Sequence, residues 1–198
     1  GIYAKGTQNI TCIGLFGEVY HGAVVKDFKL TNSYFEGGLD SSVRGPVGSI
    51  AGRLRGTIEN VYSNAIVVNR SKNTGGIVGM ITGTGQNKIS GCWFDGTLTG
   101  ITRSGGILGG VYGNKGNIEA TIAHCLNTGK MNIELGQAGV GGICGTAETW
   151  SILYVDDCLN AGTYQTFGTG KSESKHIGTL VGTVTKTDGV GSKVVVTD

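Results

Sequence analysis

Two kinds of residue in this 198-residue chain have the types and the spacing for chemistry, and both recur at fixed places. Cys92, Cys125 and Cys158 each stand fourth in a short phrase: Ile89-Ser90-Gly91-Cys92-Trp93-Phe94, Ile122-Ala123-His124-Cys125-Leu126-Asn127 and Val155-Asp156-Asp157-Cys158-Leu159-Asn160. A row of thiols is the raw material of a metal or redox site, yet free cysteine is also among the most buried residue types. With Cys12 and Cys144 there are five cysteines, an odd number without a C-x-x-C pair, which argues against a zinc site and against a disulfide framework. The third position of the phrase holds His124 and Asp157, with Asp156 beside them and Glu59 further along. Such a cluster would suit a hydrolase or lyase, as acid, base or cation ligands. No Ser-His-Asp order, HExxH or multi-aspartate loop accompanies it, and corners take polar residues for reasons of turn chemistry alone. The chain is therefore read as non-enzymatic, with no catalytic residue, no metal ligand and no cofactor.

The fifth position of the phrase carries a different chemistry. It holds Tyr34, Tyr62, Trp93, Leu126 and Leu159 when the phrase is traced back to Ile58-Glu59-Asn60-Val61-Tyr62-Ser63 and Leu30-Thr31-Asn32-Ser33-Tyr34-Phe35. Alternation along a strand turns this position outward if the fourth faces in. Exposed rings on a rigid sheet can stack on sugars or dock a neighbouring module, and they can equally serve to brace adjacent strands. Trp150 and Tyr154, in the approach to the last phrase, would extend the same face. The expected ligand-binding residues are thus Trp93, Tyr62, Tyr34, Trp150 and Tyr154.

These residues are positioned by a repeat. The motif Gly75-Gly76-Ile77-Val78-Gly79 returns as Gly14-Leu15-Phe16-Gly17, Gly48-Ser49-Ile50-Ala51-Gly52, Gly105-Gly106-Ile107-Leu108-Gly109, Gly141-Gly142-Ile143-Cys144-Gly145 and Gly178-Thr179-Leu180-Val181-Gly182. Its closing glycines are separated by 35, 27, 30, 36 and 37 residues, a period typical of solenoids, propellers and arrays. Within the second phrase the first and fourth residues are both apolar or small, although a regular strand would point them to opposite faces. The third position holds Asn32, Asn60, Gly91, His124 or Asp157, types that tolerate left-handed or bulged backbone, so a corner there re-aims the fourth residue inward. A third β-like piece follows, such as Ala65-Ile66-Val67-Val68 or Thr97-Leu98-Thr99. No stretch has a helical period.

The reading is all-β: one domain over residues 1–198, a parallel β-solenoid of about six coils with about three short strands each. Ile50, Ile77, Ile107, Ile143 and Leu180 would form one inward ladder, and Ile58, Ile89, Ile122 and Val155 another. The length differences between repeats fall in the polar, glycine-containing stretches 18–23, 82–88, 110–117 and 167–176.

Composition narrows the function classes. Glycine contributes 38 residues without a G-X-Y period, charged residues are 15%, and a net charge of +2 without a basic patch argues against nucleic-acid binding. No apolar run approaches the ~20 residues of a membrane helix. The terminal run Lys193-Val194-Val195-Val196-Thr197-Asp198 reads as a strand stopped in mid-course, so a fragment of a larger protein is expected.

At the glycine motifs and at Ile58 to Ala65, Ile122 to Gly129 and Val155 to Gly162, the chain resembles the GLUG-motif repeats of large bacterial surface and secreted proteins. The resemblance covers nearly the whole chain, with Ser49 and Thr179 replacing a motif glycine. It implies an extracellular location on the bacterial cell surface. Three functions are open. One is adhesion or glycan binding, with host or cell-wall glycans or host surface proteins as partners. Another is a rigid spacer between flanking domains of the same chain. The last is a polysaccharide-degrading β-helix similar to pectate lyases.

Overall fold

The computed structural model describes residues 1–7, 11–38, 45–113, 118–134, 139–168, 176–187 and 190–197. Every element among them is a strand or turn, and all strand pairs are parallel except one short hairpin, Lys186–Thr187 with Val190–Gly191. The chain winds as a parallel β-solenoid of about five turns, with four faces per turn rather than the three expected.

The first sheet holds Phe16–Val19, Ala51–Leu54, Val78–Thr82, Leu108–Tyr112, Cys144–Ala147 and Val181–Val184. The second is built on Val24–Leu30, Thr57–Ser63, Gln86–Ser90, Ile118–Ala123, Ser151–Asp156 and Lys193–Thr197. Beyond a corner it continues into the two-residue strands Trp93–Phe94, Leu126–Asn127 and Leu159–Asn160. The third runs from Tyr3–Lys5 through Tyr34–Glu36, Ile66–Val68, Thr97–Gly100 and Lys130–Glu134 to Thr163–Phe167. The fourth, absent from the sequence expectation, is Val47–Gly48, Lys72–Gly75, Thr102–Gly105, Val140–Gly141 and Ile177–Gly178. It was missed because its strands are only two to four residues long and end in the motif's first glycine.

Both apolar ladders form. Ile50, Ile77, Ile107 and Ile143 are wholly buried, and each donates its N–H to the carbonyl of the next. Leu180, in the last turn and covered on one side only, is half-buried. Ile58, Ile89, Ile122 and Val155 stand in exact register and are likewise buried.

The corner is made as the residue types require. Asp27, Asn60, Gly91, His124 and Asp157 all have positive φ, from 42° to 63°, a conformation that Gly, Asn, Asp and His adopt more readily than most. The first turn corrects the expected alignment. Val25 pairs with Ile58 and Phe28 with Val61, so the phrase there is Val25-Lys26-Asp27-Phe28-Lys29-Leu30, five residues earlier than Leu30-Thr31-Asn32-Ser33-Tyr34-Phe35.

Of the expected variable loops, 18–23 and 82–88 are shorter than the sequence predicts. The strands run to Val19 and Thr82 and resume at Val24 and Gln86. Residues 114–117 and 169–175 of the other two lie outside the described residues.

Candidate functional site: an aromatic groove on the corner

Just past the corner the second sheet carries one outward column, Lys29, Tyr62, Trp93, Leu126 and Leu159, set by direct register between turns. On the other side of the buried fourth position runs the column of left-handed residues, Asp27, Asn60, Gly91, His124 and Asp157. Between the first and third turns the two columns enclose an open groove of about 390 Å³. Asp27, Asn60 and Gly91 form one side, Lys29, Tyr62 and Trp93 the other, and Phe28 and Val61 lie between them. Gly91 matters because it has no side chain: a Cβ there would lie 2.5 Å from Asn60 Oδ1, against the polar side of the groove.

The polar side is organised. Asn60 Nδ2 donates to Asp27 Oδ1 at 3.0 Å, while Lys29 makes no ion pair among the described residues. The rings meet edge to face, with centroids 4.9 Å apart and planes 74° from parallel, so they make an angled wall and not the flat shelf that two stacked rings would give. Trp93 is 41% exposed, yet its Nε1–H donates to Thr128 Oγ1 at 2.7 Å. Thr128 in turn donates to Asp95 Oδ1 at 2.6 Å, and the Tyr62 hydroxyl donates to Asp95 Oδ2 at 3.3 Å. Partial burial and the Asp95 carboxylate push the Tyr62 phenol up from its ordinary value, which keeps it a neutral donor.

Three of the expected site residues lie elsewhere. Tyr34 belongs to the third sheet, in register with Tyr3 and Ile66, and its ring stacks on Tyr3 at 5.3 Å and 7°. Tyr154 does face outward on the second sheet, but in register with Thr121 and Val195. Trp150 stands at the far end of that strand, at a left-handed turn against Gly113. At ~3.3 Å per residue it is roughly 20 Å along the strand from the corner. Conversely, Asp27 and Lys29 were missed because the first phrase was aligned five residues late. Its apolar first and fourth residues around a central Asp were the signal that would have found them.

The other candidate cluster resolves into surface pairs. His124 Nδ1 lies 3.1 Å from Asp157 Oδ2 on the exposed corner, and Glu59 turns away to the ammonium of Lys88 at 3.0 Å. Among the described residues no three His, Cys, Asp or Glu side chains come together to hold a metal ion. The cysteine column is inward: Cys92 and Cys125 are buried, Cys158 half-buried, and each thiol donates to the carbonyl two residues back at 3.2–3.3 Å. All five cysteines are free.

The chain matches no family model, no curated protein and no solved structure, so any functional reading stands on this geometry and on the repeat itself.

Proposed function

We propose that this β-solenoid is a non-catalytic segment of a bacterial surface protein that binds glycans, of the host or of a cell wall, in the groove formed by Tyr62 and Trp93. The observation that carries the reading is the pairing of an angled aromatic wall, flanked by Lys29 with no ion-pair partner among the described residues, with an opposed row of hydrogen-bonding side chains, Asp27 and Asn60. A sugar ring offers a C–H face to an aromatic ring and hydroxyls to carboxylate, carboxamide and ammonium groups. Because the groove sits on a stacked sheet, little side-chain entropy is lost on binding. The extracellular setting comes from the GLUG-like repeat. No helix among the described residues is long and apolar enough to cross a membrane.

A second reading, a rigid spacer holding flanking modules apart, is favoured by one specific feature. The polar atoms of both rings are already engaged inside the protein, Trp93 by Thr128 and Tyr62 by Asp95. On that reading the rings brace adjacent turns and nothing binds.

A broad glycan array separates the two. Wild-type protein should bind a subset of glycans; Trp93→Ala and Asn60→Ala should each weaken that binding about tenfold or more, with circular dichroism unchanged, as loss of a stacking or hydrogen-bonding partner implies. Absence of binding by wild type, or equal binding by Trp93→Ala, leaves the spacer reading in place.

A further inference from the structure

Outside the aromatic groove, unpartnered binding groups gather where the first and fourth sheets meet. A half-enclosed cavity of about 140 Å³ lies there, lined on one side by Lys72 and Arg103 and on the other by Thr146, Glu148, Thr183 and Thr185. Thr146 and Thr183 are in register on adjacent turns. Their Oγ1 atoms are buried and make no hydrogen bond, and Thr146 as a whole is only 2% exposed. Buried hydroxyls in native folds nearly always have a partner.

The residue packed nearest these hydroxyls from the adjoining corner is a glycine, Gly139. A Cβ at Gly139 would overlap Thr146 Oγ1 and lie 3.4 Å from Thr183 Oγ1. The same left-handed column carries Asn73 and Arg103 in the two preceding turns, where φ is again positive.

The charges around the cavity do not cancel. Glu148 is engaged at both oxygens, by Arg103 Nη2 at 2.8 Å and by the Thr185 hydroxyl at 3.4 Å. Lys72 has no ion-pair partner among the described residues. A divalent cation is disfavoured: calcium takes ~6–8 oxygen ligands, and the one carboxylate here is held by an arginine. The volume is also below the ~300 Å³ at which pockets for whole organic ligands begin, so it suits a single group.

We propose that this cavity binds one small oxyanion, a carboxylate or a sulfate group. The Lys72 ammonium supplies the charge, and the Thr146 and Thr183 hydroxyls donate hydrogen bonds to the anion. The site is independent of the aromatic groove and does not rest on the glycan reading.

The test is an amide NMR titration of the full chain with sodium sulfate, sodium acetate and, at matched ionic strength, sodium chloride. Gly139, Thr146 and Thr183 should shift saturably with sulfate or with acetate and not with chloride. A response to sulfate alone identifies a sulfate group, and one to acetate alone a carboxylate. Lys72→Met should weaken binding at least about tenfold, as loss of a charge-assisted contact implies. Thr146→Val, which removes a hydroxyl without a protein partner, should weaken it similarly while the melting temperature holds or rises. The exposed Lys72→Met keeps the test decisive if Thr146→Val misfolds. No saturable shift with either anion, or wild-type titration by Lys72→Met, overturns the proposal; so does a saturable response to calcium chloride in place of the anions.

Discussion

Cys144 is wholly buried in the first sheet, and among the described residues its thiol makes one hydrogen bond, a long one of 3.7 Å to the Thr146 carbonyl. Burial disfavours the thiolate and pushes the thiol from 9.0 up to about 12. Because the folded value lies above the unfolded one, this thiol's contribution to stability is complete below about pH 9 and is lost as pH climbs toward about 12. Near pH ~10.5 the loss amounts to about 2 kcal/mol. Cys144→Ala should therefore melt below wild type at neutral pH, by the cost of a small cavity, and the gap between the two melting temperatures should narrow as pH is raised. Parallel melting curves for the two proteins across the alkaline range would show that the buried thiol is not the titrating group.

Each turn depends on corners that only small residues allow. At Gly76 a Cβ would overlap the Gly106 carbonyl oxygen of the next turn and the ring of Phe94. That ring lies in a niche also bounded by Gly96 and Gly129. Gly191, by contrast, has open space around it and no positive φ. Gly76→Ala should lower stability by several kcal/mol, as overpacking against backbone does, whereas Gly191→Ala should be close to neutral; thermal melts compare them. The asparagines of the repeat phrase have a related task. Asn127 and Asn160 each accept the N–H two residues on, at 3.1 and 3.2 Å, and Asn127 Nδ2 donates to Asn160 Oδ1 at 2.8 Å, so their side chains satisfy a corner and link adjacent turns. The strands between corners carry the apolar ladders. Ile107→Asp would place a charge among wholly buried neighbours and should unfold the chain, while Thr99→Asp, at a half-buried position of the third sheet, should cost far less. Equal melting temperatures for these two variants would contradict the inward register of Ile107.

Because every turn pairs only with the turns before and after it, the stack should tolerate removal of a whole repeat. Deleting residues 79–108 joins Val78 to Gly109 and restores a complete motif, Gly75-Gly76-Ile77-Val78-Gly109, at one corner. The shortened protein should keep a β-type circular dichroism spectrum and unfold cooperatively at a lower temperature. It should also lose any glycan binding that depends on Trp93. A disordered product would mean that stability is not shared out between neighbouring turns.

The repeat, the all-β solenoid, both ladders and the left-handed corner were legible in the chain itself. They rest on local physics: alternation along a strand, the φ preferences of Asn, Asp, His and Gly, and the burial of apolar residues at equivalent places. What the folded molecule alone decided is which side chains meet across turns. Tyr34 looked like a member of the Trp93 column, but the first turn begins its phrase at Val25, so Lys29 takes that place and Tyr34 stacks on Tyr3. Tyr154 has the right residue type on the right sheet and Trp150 stands at the turn just before its strand, but both belong to the fifth turn, beyond the three turns that line the groove. The edge-to-face angle of Tyr62 and Trp93, and the orphaned hydroxyls of Thr146 and Thr183 beneath Gly139, arise between residues about thirty or more positions apart or on separate sheets. No periodicity along the chain encodes such contacts, because they depend on the register and turn-to-turn packing of the finished stack.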